Sequence, residues 1–387
     1  MNNVLHDSPL MFRMVAGEAS GDLLASLLLK GMRKRWGDFQ AAGVGGDKML
    51  AEGFQRWERY DQLAIHGYVD AIKNYRALSA FRKSIGTCII ADRPDAFIGV
   101  DAPDFNLGLE QRIKENGIKT IHFVSPSIWA WRGWRIKTIA RSADLVLCLF
   151  PFEPAIYTKV GVSASYVGHP LADEIPLEID QDGARAQLGL QNTRFDALVA
   201  LMPGSRRSEV NQLAPTFLDT AKELLKHRPE LQFVLPVAPG MMSTLSPMVE
   251  QAGLSEKVHL LDGQASIALA ASDVALIASG TATLEAALYK CPMVIAYKVG
   301  ALSGAIFRRM SYLPWIGLPN ILCGETVVPE RVQSEMNAQQ LARDILGWLD
   351  SPQKVEALQA RFTELHHTLR CNTAQAATNA IAELLER

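Results

Sequence analysis

The chain has 387 residues, 48% of them hydrophobic and 21% charged, which excludes a disordered protein and predicts about two globular domains. Its 39 Lys and Arg residues nearly balance 41 Asp and Glu residues, for a formal charge of −2. This balance argues against a general nucleic-acid-binding surface. Five scattered cysteines without a CxxC pair argue against a disulfide framework or a zinc ribbon and favour a reducing cytoplasm.

The hydrophobic residues do not predict a segment that crosses a membrane. Residues 1–10 lack the charged and then apolar layout of a signal peptide. No stretch reaches the roughly 18 consecutive apolar residues that a transmembrane helix needs. We therefore expect any contact with a membrane to be peripheral.

Short apolar runs alternate with amphipathic stretches twice along the chain, which is typical of parallel sheets covered by helices. A proline-containing linker near residues 170–190 separates the two series and predicts two doubly wound domains facing across a cleft. In such sheets ligands bind at the carboxyl ends of the strands. The predicted strands are 11–16, 39–44, 96–100, 119–124, 145–149 and 165–167, then 197–202, 232–237, 258–260, 274–277 and 292–297.

The C-terminal segment predicts one long amphipathic helix or a helix pair. Its apolar residues are spaced by three and four positions, so one face must pack on the body or on a partner chain, which leaves a homodimer open. His366 and His367 are expected to form a surface pair on this helix. The predicted domains are 1–172, 173–345 and 346–387. The apolar positions are Val355, Leu358, Phe362, Leu365 and Leu369.

Two turns of the second domain could bind a diphosphate. In LMPGSRRSEV (201–210), Gly204 would let a phosphate approach a helix N-terminus and Arg206 would chelate it. In SGTATLE (279–285), threonine hydroxyls could bind phosphate oxygens, and Glu285 could accept from ribose hydroxyls. An ordinary β–α turn and a Ser/Thr helix cap explain the same residues. Two such turns in one domain together suggest a nucleoside diphosphate.

The first domain carries carboxylates directly after a predicted strand. In GVDAPDFN (99–106), Asp101 and Asp104 flank Pro103 and suit a general base beside an attacking hydroxyl. Turn chemistry is the alternative, because Asp and Asn are common around proline. The turn after the first strand, AGEASGD (16–22), is neither GxGxxG nor a P-loop, so an NAD-dependent dehydrogenase and a P-loop kinase are not supported.

Two further stretches could touch a lipid surface. Residues 63–81 form an amphipathic pattern with basic residues near it, and residues 127–137 combine three of the seven tryptophans with three cations. Core packing explains both patterns equally well. No set of metal ligands is convincing, and the one DxD, at 180–182, does not follow a strand. This disfavours a magnesium-dependent transferase of the GT-A type.

Read together, nine motifs resemble the lipid-A-disaccharide synthase family over nearly the whole chain. The motifs are AGEASGD (16–22), GVGGDKM (43–49), GVDAPDFN (99–106), HFVSPSIWAWR (122–132), PFEPAIY (151–157), VGHPLAD (167–173), LMPGSRRSEV (201–210), SGTATLE (279–285) and LPNILCGETVVPE (318–330). His66, Tyr68 and Cys323 depart from the usual family residues. These departures bear on the details of the predicted lipid contact and leave the resemblance to the family unchanged.

The resemblance implies an α/β protein of the GT-B fold: an inverting, metal-independent glycosyltransferase without a cofactor. It implies that UDP-2,3-diacylglucosamine is joined to 2,3-diacylglucosamine 1-phosphate, giving the β(1→6)-linked tetra-acyl disaccharide 1-phosphate of lipid A and UDP. The expected setting is peripheral, on the cytoplasmic face of the inner membrane of a Gram-negative bacterium, in contact with membrane lipids but not with nucleic acid.

The resemblance also implies roles for residues of the motifs. The catalytic residues it implies are Asp101, Glu18 and Asp104, with Asp101 as the base. The residues of the UDP-sugar donor site would be Gly204, Ser205, Arg206, Glu209, Ser279, Gly280, Thr281, Thr283, Glu285 and Asn320. The residues in contact with acyl chains or membrane would be Val69, Ile72 and Tyr75.

Two other functions remain open from the sequence. A UDP-N-acetylglucosamine 2-epimerase of the same fold would keep the nucleotide half and need no lipid face. A peripheral membrane adaptor would use residues 63–81 and the tryptophans but would not need Asp101.

Overall fold

A computed structural model describes residues 9–60, 68–191, 194–298 and 312–386, the side chains of 68–75 excepted. The chain forms two compact units. Unit 1 comprises Met1–Asp173 and Thr368–Arg387, and unit 2 comprises Glu174–His367. The structure therefore divides residues 346–387 between the two units, and the domain limits drawn from the sequence stay a prediction.

The sheet of unit 1 contains seven described strands, all parallel, in the order β3-β2-β1-β4-β5-β6-β7. The strands are β1 Met11–Ala16, β2 Gln40–Gly45, β3 Gln55–Arg59, β4 Ala96–Val100, β5 Lys119–Phe123, β6 Leu145–Cys148 and β7 Ser163–Tyr166. The helices are α1 Ala19–Trp36, α2 Asp47–Ala51, α3 Tyr68–Asp92, α4 Pro103–Lys114, α5 Ile136–Ser142, α6 Pro154–Thr158 and α7 Pro170–Glu174.

The central strands of this sheet are buried on both faces, which explains their continuous apolar runs. Phe12 and Met14 of β1 point to the face covered by α1 and by the C-terminal helix, while Val15 points to the opposite face. On that opposite face Val15 packs with Phe97 of β4 and Phe105 of α4. Two hydrophobic layers therefore hold the sheet between helices.

Unit 2 repeats this plan with six described parallel strands in the order β10-β9-β8-β11-β12-β13. The strands are β8 Leu198–Met202, β9 Gln232–Val237, β10 Val258–Asp262, β11 Val274–Ala278, β12 Met293–Tyr297 and β13 Glu330–Val332. The helices are α8 Gln181–Gln187, α9 Arg207–His227, α10 Met242–Gln251, α11 Ala265–Ala271, α12 Thr281–Leu288, α13 Leu318–Cys323, α14 Ala338–Leu349 and α15 Pro352–Leu369. The last helix of the chain, α16 Thr373–Leu385, belongs to unit 1.

The C-terminal segment is a helix pair, α15 and α16. The surface position expected for His366 is wrong, because this side chain is fully buried and its Nδ1 lies 2.6 Å from Nζ of Lys290. His366 follows Phe362 by four residues and so lies on the buried stripe of the helix. His367, one residue on, is exposed.

Two edge strands carry no apolar run that would have revealed them. Strand β3 reads QRWER, and β13 has only three residues, ERV. Among the described strands, β3 pairs with β2 alone and β13 with β12 alone. An edge strand needs backbone partners but little apolar surface, so its sequence lacks the pattern of a central strand.

A buried carboxyl group joins two of the motifs in unit 1. Oε1 of Glu153 accepts a hydrogen bond from Nε1 of Trp129 at 2.9 Å, and its Oε2 accepts from the Phe150 N–H at 3.0 Å. Burial raises the pKa of Glu153 from 4.5 to about 7, although these bonds partly oppose the shift. Trp129 also packs edge-on against Phe152, with ring centres 5.3 Å apart. The first of the three clustered tryptophans is thus a packing residue.

This raised pKa predicts a pH-dependent stability. The folded-state pKa of Glu153, about 7, lies above the ordinary value of 4.5. Protonation of this carboxyl group therefore stabilises the folded state fully below pH 4.5, and this contribution is lost as the pH rises through about 7. The melting temperature of Glu153→Gln should therefore decrease less than that of the parent protein between about pH 5 and pH 8. Glu383→Gln, at an exposed position of α16, is the control. Equal pH slopes for the parent and Glu153→Gln would contradict the burial argument.

Candidate functional site

Strand order reverses once in each sheet, between β1 and β4 in unit 1 and between β8 and β11 in unit 2. At such a point the loops that leave neighbouring strands run to opposite faces and open a crevice at the carboxyl ends. The motifs singled out from the sequence follow β1, β4, β8 and β11. Both reversal points therefore carry candidate functional residues.

Unit 2 has a pocket of about 490 Å³ at its reversal point. Its walls are the loops after β8, β9, β10 and β11. Two other pockets of about 680 Å³ each, around Trp315 and around Lys290, contain no residue of the two turn motifs. The predicted donor-site residues that line the 490 Å³ pocket are Gly204, Ser205, Arg206, Glu209, Ser279, Gly280, Thr281 and Glu285.

Glu285 is a carboxylate of this pocket that lies apart from Arg206 and its partner Glu209. It lies in the second turn of α12, and its Oε1 accepts a hydrogen bond from the Ser266 hydroxyl at 2.8 Å. Burial raises the pKa of Glu285, and the bond from Ser266 partly offsets that shift. Ser266, at the start of α11, was not found from the sequence because it lies in no distinctive motif. The Ser266 hydroxyl thus orients one carboxylate oxygen of Glu285, which lines the pocket.

The turn after β8 depends on glycine. Gly204 has φ of 107°, and a Cβ there would lie 2.7 Å from Oε2 of Glu209. This Oε2 accepts from the Ser205 and Arg206 N–H groups in long bonds of 3.4 Å, while Oε1 lies 3.0 Å from Nη1 of Arg206. The guanidinium itself is largely exposed. Glu209 thus caps α9 through long bonds and leaves an exposed cation beside the pocket.

The structure separates the predicted residues of the SGTATLE turn. The exposed Thr281 and half-buried Ser279 line the pocket, and the Ser279 hydroxyl donates to the Ile316 carbonyl at 3.0 Å. Thr283 is fully buried and donates to the Gly280 carbonyl at 2.8 Å. It therefore supports the helix start and does not reach the pocket wall.

Asn320 is also placed away from the pocket wall. It is fully buried; its Oδ1 accepts from the N–H groups of Val327 and Val328, and its Nδ2 donates to the Val328 carbonyl and to Glu330. Glu330 in turn accepts from the Ile316 and Gly317 N–H groups at 2.8 and 3.0 Å. The amide thus shapes the loop that Ser279 contacts.

In unit 1 the turns after β1 and β4 touch. A Cβ at Gly17 would lie 2.2 Å from Cβ of Ala102, so only glycine allows this approach. Glu18 precedes α1, is exposed and caps nothing with its side chain. Asp101 directly follows β4 and is half-buried. The structure therefore brings the backbones that carry Glu18 and Asp101 to one edge of the sheet.

Asp104 has a different environment. It lies in the first turn of α4, and its carboxylate forms an ion pair with Arg135 and lies 4.0 Å from Nη1 of Arg132. This exposed carboxylate faces two cations of the tryptophan-rich stretch. The sequence did not predict these contacts, because the partners are separated by a strand and a loop.

Asp22, the last residue of AGEASGD, has a structural role. Its carboxylate is buried and accepts from the N–H groups of Gly46, Lys48 and Met49 at 2.8 to 3.1 Å. It thereby caps α2 from a neighbouring helix. A Cβ at Gly46 would lie 2.4 Å from its Oδ2. Two of the nine motifs are thus joined by one carboxylate.

The predicted lipid contacts are described only in part. Helix α3 includes Val69, Ile72 and Tyr75, but their side chains lie outside the described residues. In the tryptophan-rich stretch, Trp134 is 60% and Trp131 36% exposed. Within the described part of the chain, no helix is long and apolar enough to cross a membrane.

The DxD at 180–182 serves a helix. The Asp180 side chain accepts from the Gly183 N–H at 2.9 Å and caps α8. Among the described residues, no group of three or more His, Cys, Asp or Glu side chains is placed to hold a metal ion.

Solved structures with this fold include enzymes that handle UDP-sugars. A putative UDP-N-acetylglucosamine 2-epimerase from Listeria monocytogenes matches with a TM-score of 0.63 at 14% identity, over 98% of this chain and 96% of its own. The Anabaena protein HepE, solved with UDP and glucose, matches with a TM-score of 0.55 at 16% identity, over 98% of this chain and 100% of its own. These likenesses confirm the predicted GT-B-like fold. At such identities they show the fold alone.

The sequence comparisons are far more specific. The family model described as lipid-A-disaccharide synthetase matches residues 12–381. The lipid-A-disaccharide synthase of Aromatoleum aromaticum is 52% identical over 97% of this chain and 96% of its own length. That of Paraburkholderia phytofirmans is 49% identical over 99% and 98%. The resemblance carried by the nine motifs is confirmed, and the chain belongs to the lipid-A-disaccharide synthases, the glycosyltransferases of lipid A biosynthesis.

Proposed function

We propose that the chain condenses UDP-2,3-diacylglucosamine with 2,3-diacylglucosamine 1-phosphate, with the pocket of unit 2 as donor site and Asp101 of unit 1 as base. Family membership supports the overall reaction. The observation that supports the donor half is the pocket at the β8/β11 reversal, where Glu285 and Arg206 meet the starts of two helices. Helix starts and a guanidinium suit a diphosphate, and a carboxylate suits ribose hydroxyls.

The donor roles follow from the chemistry of each side chain. Arg206 is exposed and pairs only with the neighbouring Glu209 within the described residues, so it can turn toward a diphosphate at small cost. The N–H groups of Ser205 and Arg206, held by bonds of 3.4 Å, can donate to a stronger acceptor. The Thr281 hydroxyl and the backbone at Gly280 would bind further phosphate oxygens. Thr283 and Asn320 would hold these loops in place.

Asp101 suits the base better than Asp104. The Asp104 carboxylate is ion-paired with Arg135, so it would have to leave that partner before it could meet a substrate hydroxyl. Asp101 lies at the strand end and in the turn that touches Gly17. Glu18, whose backbone lies at the same edge of the sheet, would bind or orient the acceptor.

The proposed reaction is a single displacement. The 6-hydroxyl of the acceptor forms a bond to C1 of the donor sugar as its proton passes to Asp101, and the bond from C1 to the UDP oxygen breaks on the opposite face. The departing electron pair stays on UDP. Arg206 and the two helix starts would stabilise that growing charge. Attack from the opposite face inverts C1 and gives the β(1→6) linkage.

The first test separates the two aspartates. Asp101→Ala should lower kcat by about 10²- to 10⁴-fold, the usual effect of removing a general base, with UDP affinity unchanged. Asp104→Ala should keep most of the activity, because its carboxylate serves an ion pair. Disaccharide and UDP would be measured by mass spectrometry in detergent, with and without EDTA, which should make no difference.

Two results would contradict this proposal. An inactive Asp104→Ala beside a nearly normal Asp101→Ala would reverse the two roles. Folded parent protein that forms no disaccharide from the two substrates would overturn the reaction itself.

The second test concerns UDP. A hydrogen bond to a charged group contributes roughly 1.5–3 kcal/mol, so Arg206→Ala should weaken UDP binding by about tenfold or more in calorimetry. Arg207→Ala is the matched control, because Arg207 is exposed, donates to Thr244 at 3.2 Å and does not line the pocket. If Arg206→Ala and Arg207→Ala bind UDP with equal affinity, Arg206 is not part of the donor site.

We further propose that the protein binds peripherally to the cytoplasmic face of the inner membrane. Both substrates carry acyl chains, and residues 63–81 pair an apolar pattern with basic residues. Burial of apolar side chains at the acyl boundary and attraction of cations to anionic headgroups would add together. The exposed Trp131 and Trp134 are a second candidate, with Arg132 stacked 4.1 Å from the Trp131 ring.

The membrane proposal predicts which change weakens binding to vesicles that contain anionic lipid. The double variant Val69→Ser/Ile72→Ser should bind these vesicles less, and high salt should weaken binding further, with UDP affinity unchanged. Leu50→Ser, which alters an exposed apolar residue elsewhere in unit 1, is the control. Unchanged vesicle binding would exclude this stripe and direct attention to Trp131 and Trp134.

A further inference from the structure

The turn that carries Asp101 has an unfavourable backbone conformation. Asp101 and Ala102 have φ of 55° and 44°, so two consecutive residues other than glycine adopt left-handed angles. Left-handed angles are unfavourable for residues that carry a Cβ. Such a turn persists only when its surroundings hold it.

Asn106, in the first turn of α4, bonds this turn with its side chain. It is fully buried, and its Nδ2 lies 2.8 Å from the Asp101 carbonyl, 3.2 Å from that of Val15 and 3.4 Å from that of Val100. Three carbonyl oxygens around one nitrogen define the orientation of the amide. One side chain therefore ties the ends of β1 and β4 to the turn between β4 and α4.

Backbone hydrogen bonds also hold the turn that carries Asp101. The Asp101 N–H donates to the Phe123 carbonyl of β5 at 2.8 Å, and the Phe105 and Asn106 N–H groups donate to the Ala102 carbonyl at 3.0 Å. Both sides of the strained pair are thus anchored, one to the sheet and one to the helix. Within the described part of the chain, Asn106 is the side-chain donor that bonds the Asp101 carbonyl.

The position of Asn106 is fixed by the packing of α4 against β4 and β5. One helical turn on, Glu110 pairs with His122 of β5 at 2.6 Å, and both are fully buried. Burial would lower the pKa of His122, but the Glu110 carboxylate outweighs it and raises that pKa. At Gly99 a Cβ would lie 2.1 Å from Oε1 of Glu110 and 3.1 Å from Cβ of Asn106. Gly99 therefore lets α4 approach β4 closely enough for Asn106 to reach the turn.

From this geometry we propose that Asn106 is a positioning residue for Asp101: its amide holds the strained turn that presents the catalytic carboxylate. This role rests on the proposed function of Asp101 as the base. Because Asn106 is fully buried, it acts through the backbone of the turn. Without the amide, the turn relaxes to ordinary angles and the carboxylate moves.

The first test is the kinetics of Asn106→Ala. A displacement of about 1 Å can cost up to about 10²-fold in rate, so kcat should fall by about tenfold to a hundredfold. The KM for the UDP-sugar and the affinity for UDP should not change, because the donor pocket is in unit 2. Asn116→Ala is the matched control, since that exposed asparagine only donates to the Arg112 carbonyl at the end of the same helix. Asn106→Ser, which keeps one short donor, should give an intermediate kcat and serves if the alanine variant folds poorly.

The second test is a double-mutant cycle in kcat with Asp101→Ala. If Asn106 acts through Asp101, the double variant should be no slower than Asp101→Ala alone. A double variant slower by the full Asn106→Ala factor would show a general structural role and overturn the proposal, as would an unchanged kcat in both single Asn106 variants. A nearly normal Asp101→Ala with a slow Asn106→Ala would instead overturn the assignment of the base.

Discussion

The architecture depends on one constraint, that each parallel sheet reverses its strand order once. Because helices that leave neighbouring strands at this point must cover opposite faces, their connecting turns separate at the carboxyl edge. In unit 2 the turns after β8 and β11 form the walls of the 490 Å³ pocket. In unit 1 the turns after β1 and β4 touch through Gly17 and Ala102. The same topology thus produces an open pocket in one unit and a close contact in the other.

The motif residues fall into two physical classes. Arg206, Thr281 and Glu285 present polar groups to a pocket. Asp22, Asn106 and Asn320 are buried and use their side chains to bond backbone groups of distant segments. A buried polar side chain that satisfies several backbone groups is costly to replace, because each group left unpaired costs roughly 1–3 kcal/mol. The residues of a distinctive motif can therefore serve to hold a loop in place as well as to contact a ligand.

The fold by itself does not choose the reaction. Structures of about 15% identity, among them an epimerase, share the two-sheet plan, since that plan only requires apolar strands and covering helices. In this chain motif residues lie at the reversal points of that plan. In this chain Asp104 pairs with Arg135, whereas Asp101 lies in a strained turn, and this contrast between two nearby carboxylates is what favours Asp101 as the base.

The sequence by itself determined the fold class, the central strands and the family, because these depend on local periodicity and on contiguous motifs. It did not reveal β3 and β13, whose edge positions require little apolar surface. The surface position predicted for His366 was wrong although its spacing from Phe362 puts it on the buried stripe, and its contact with Lys290 inside unit 2 is decided by the tertiary structure. The division between residues that face the pocket and residues that hold its loops was decided by the tertiary structure alone. Thr283 and Asn320 match the chemistry of a donor site, but their hydroxyl and amide bond the protein itself, because burial after folding leaves a polar group only the partners that the fold brings to it.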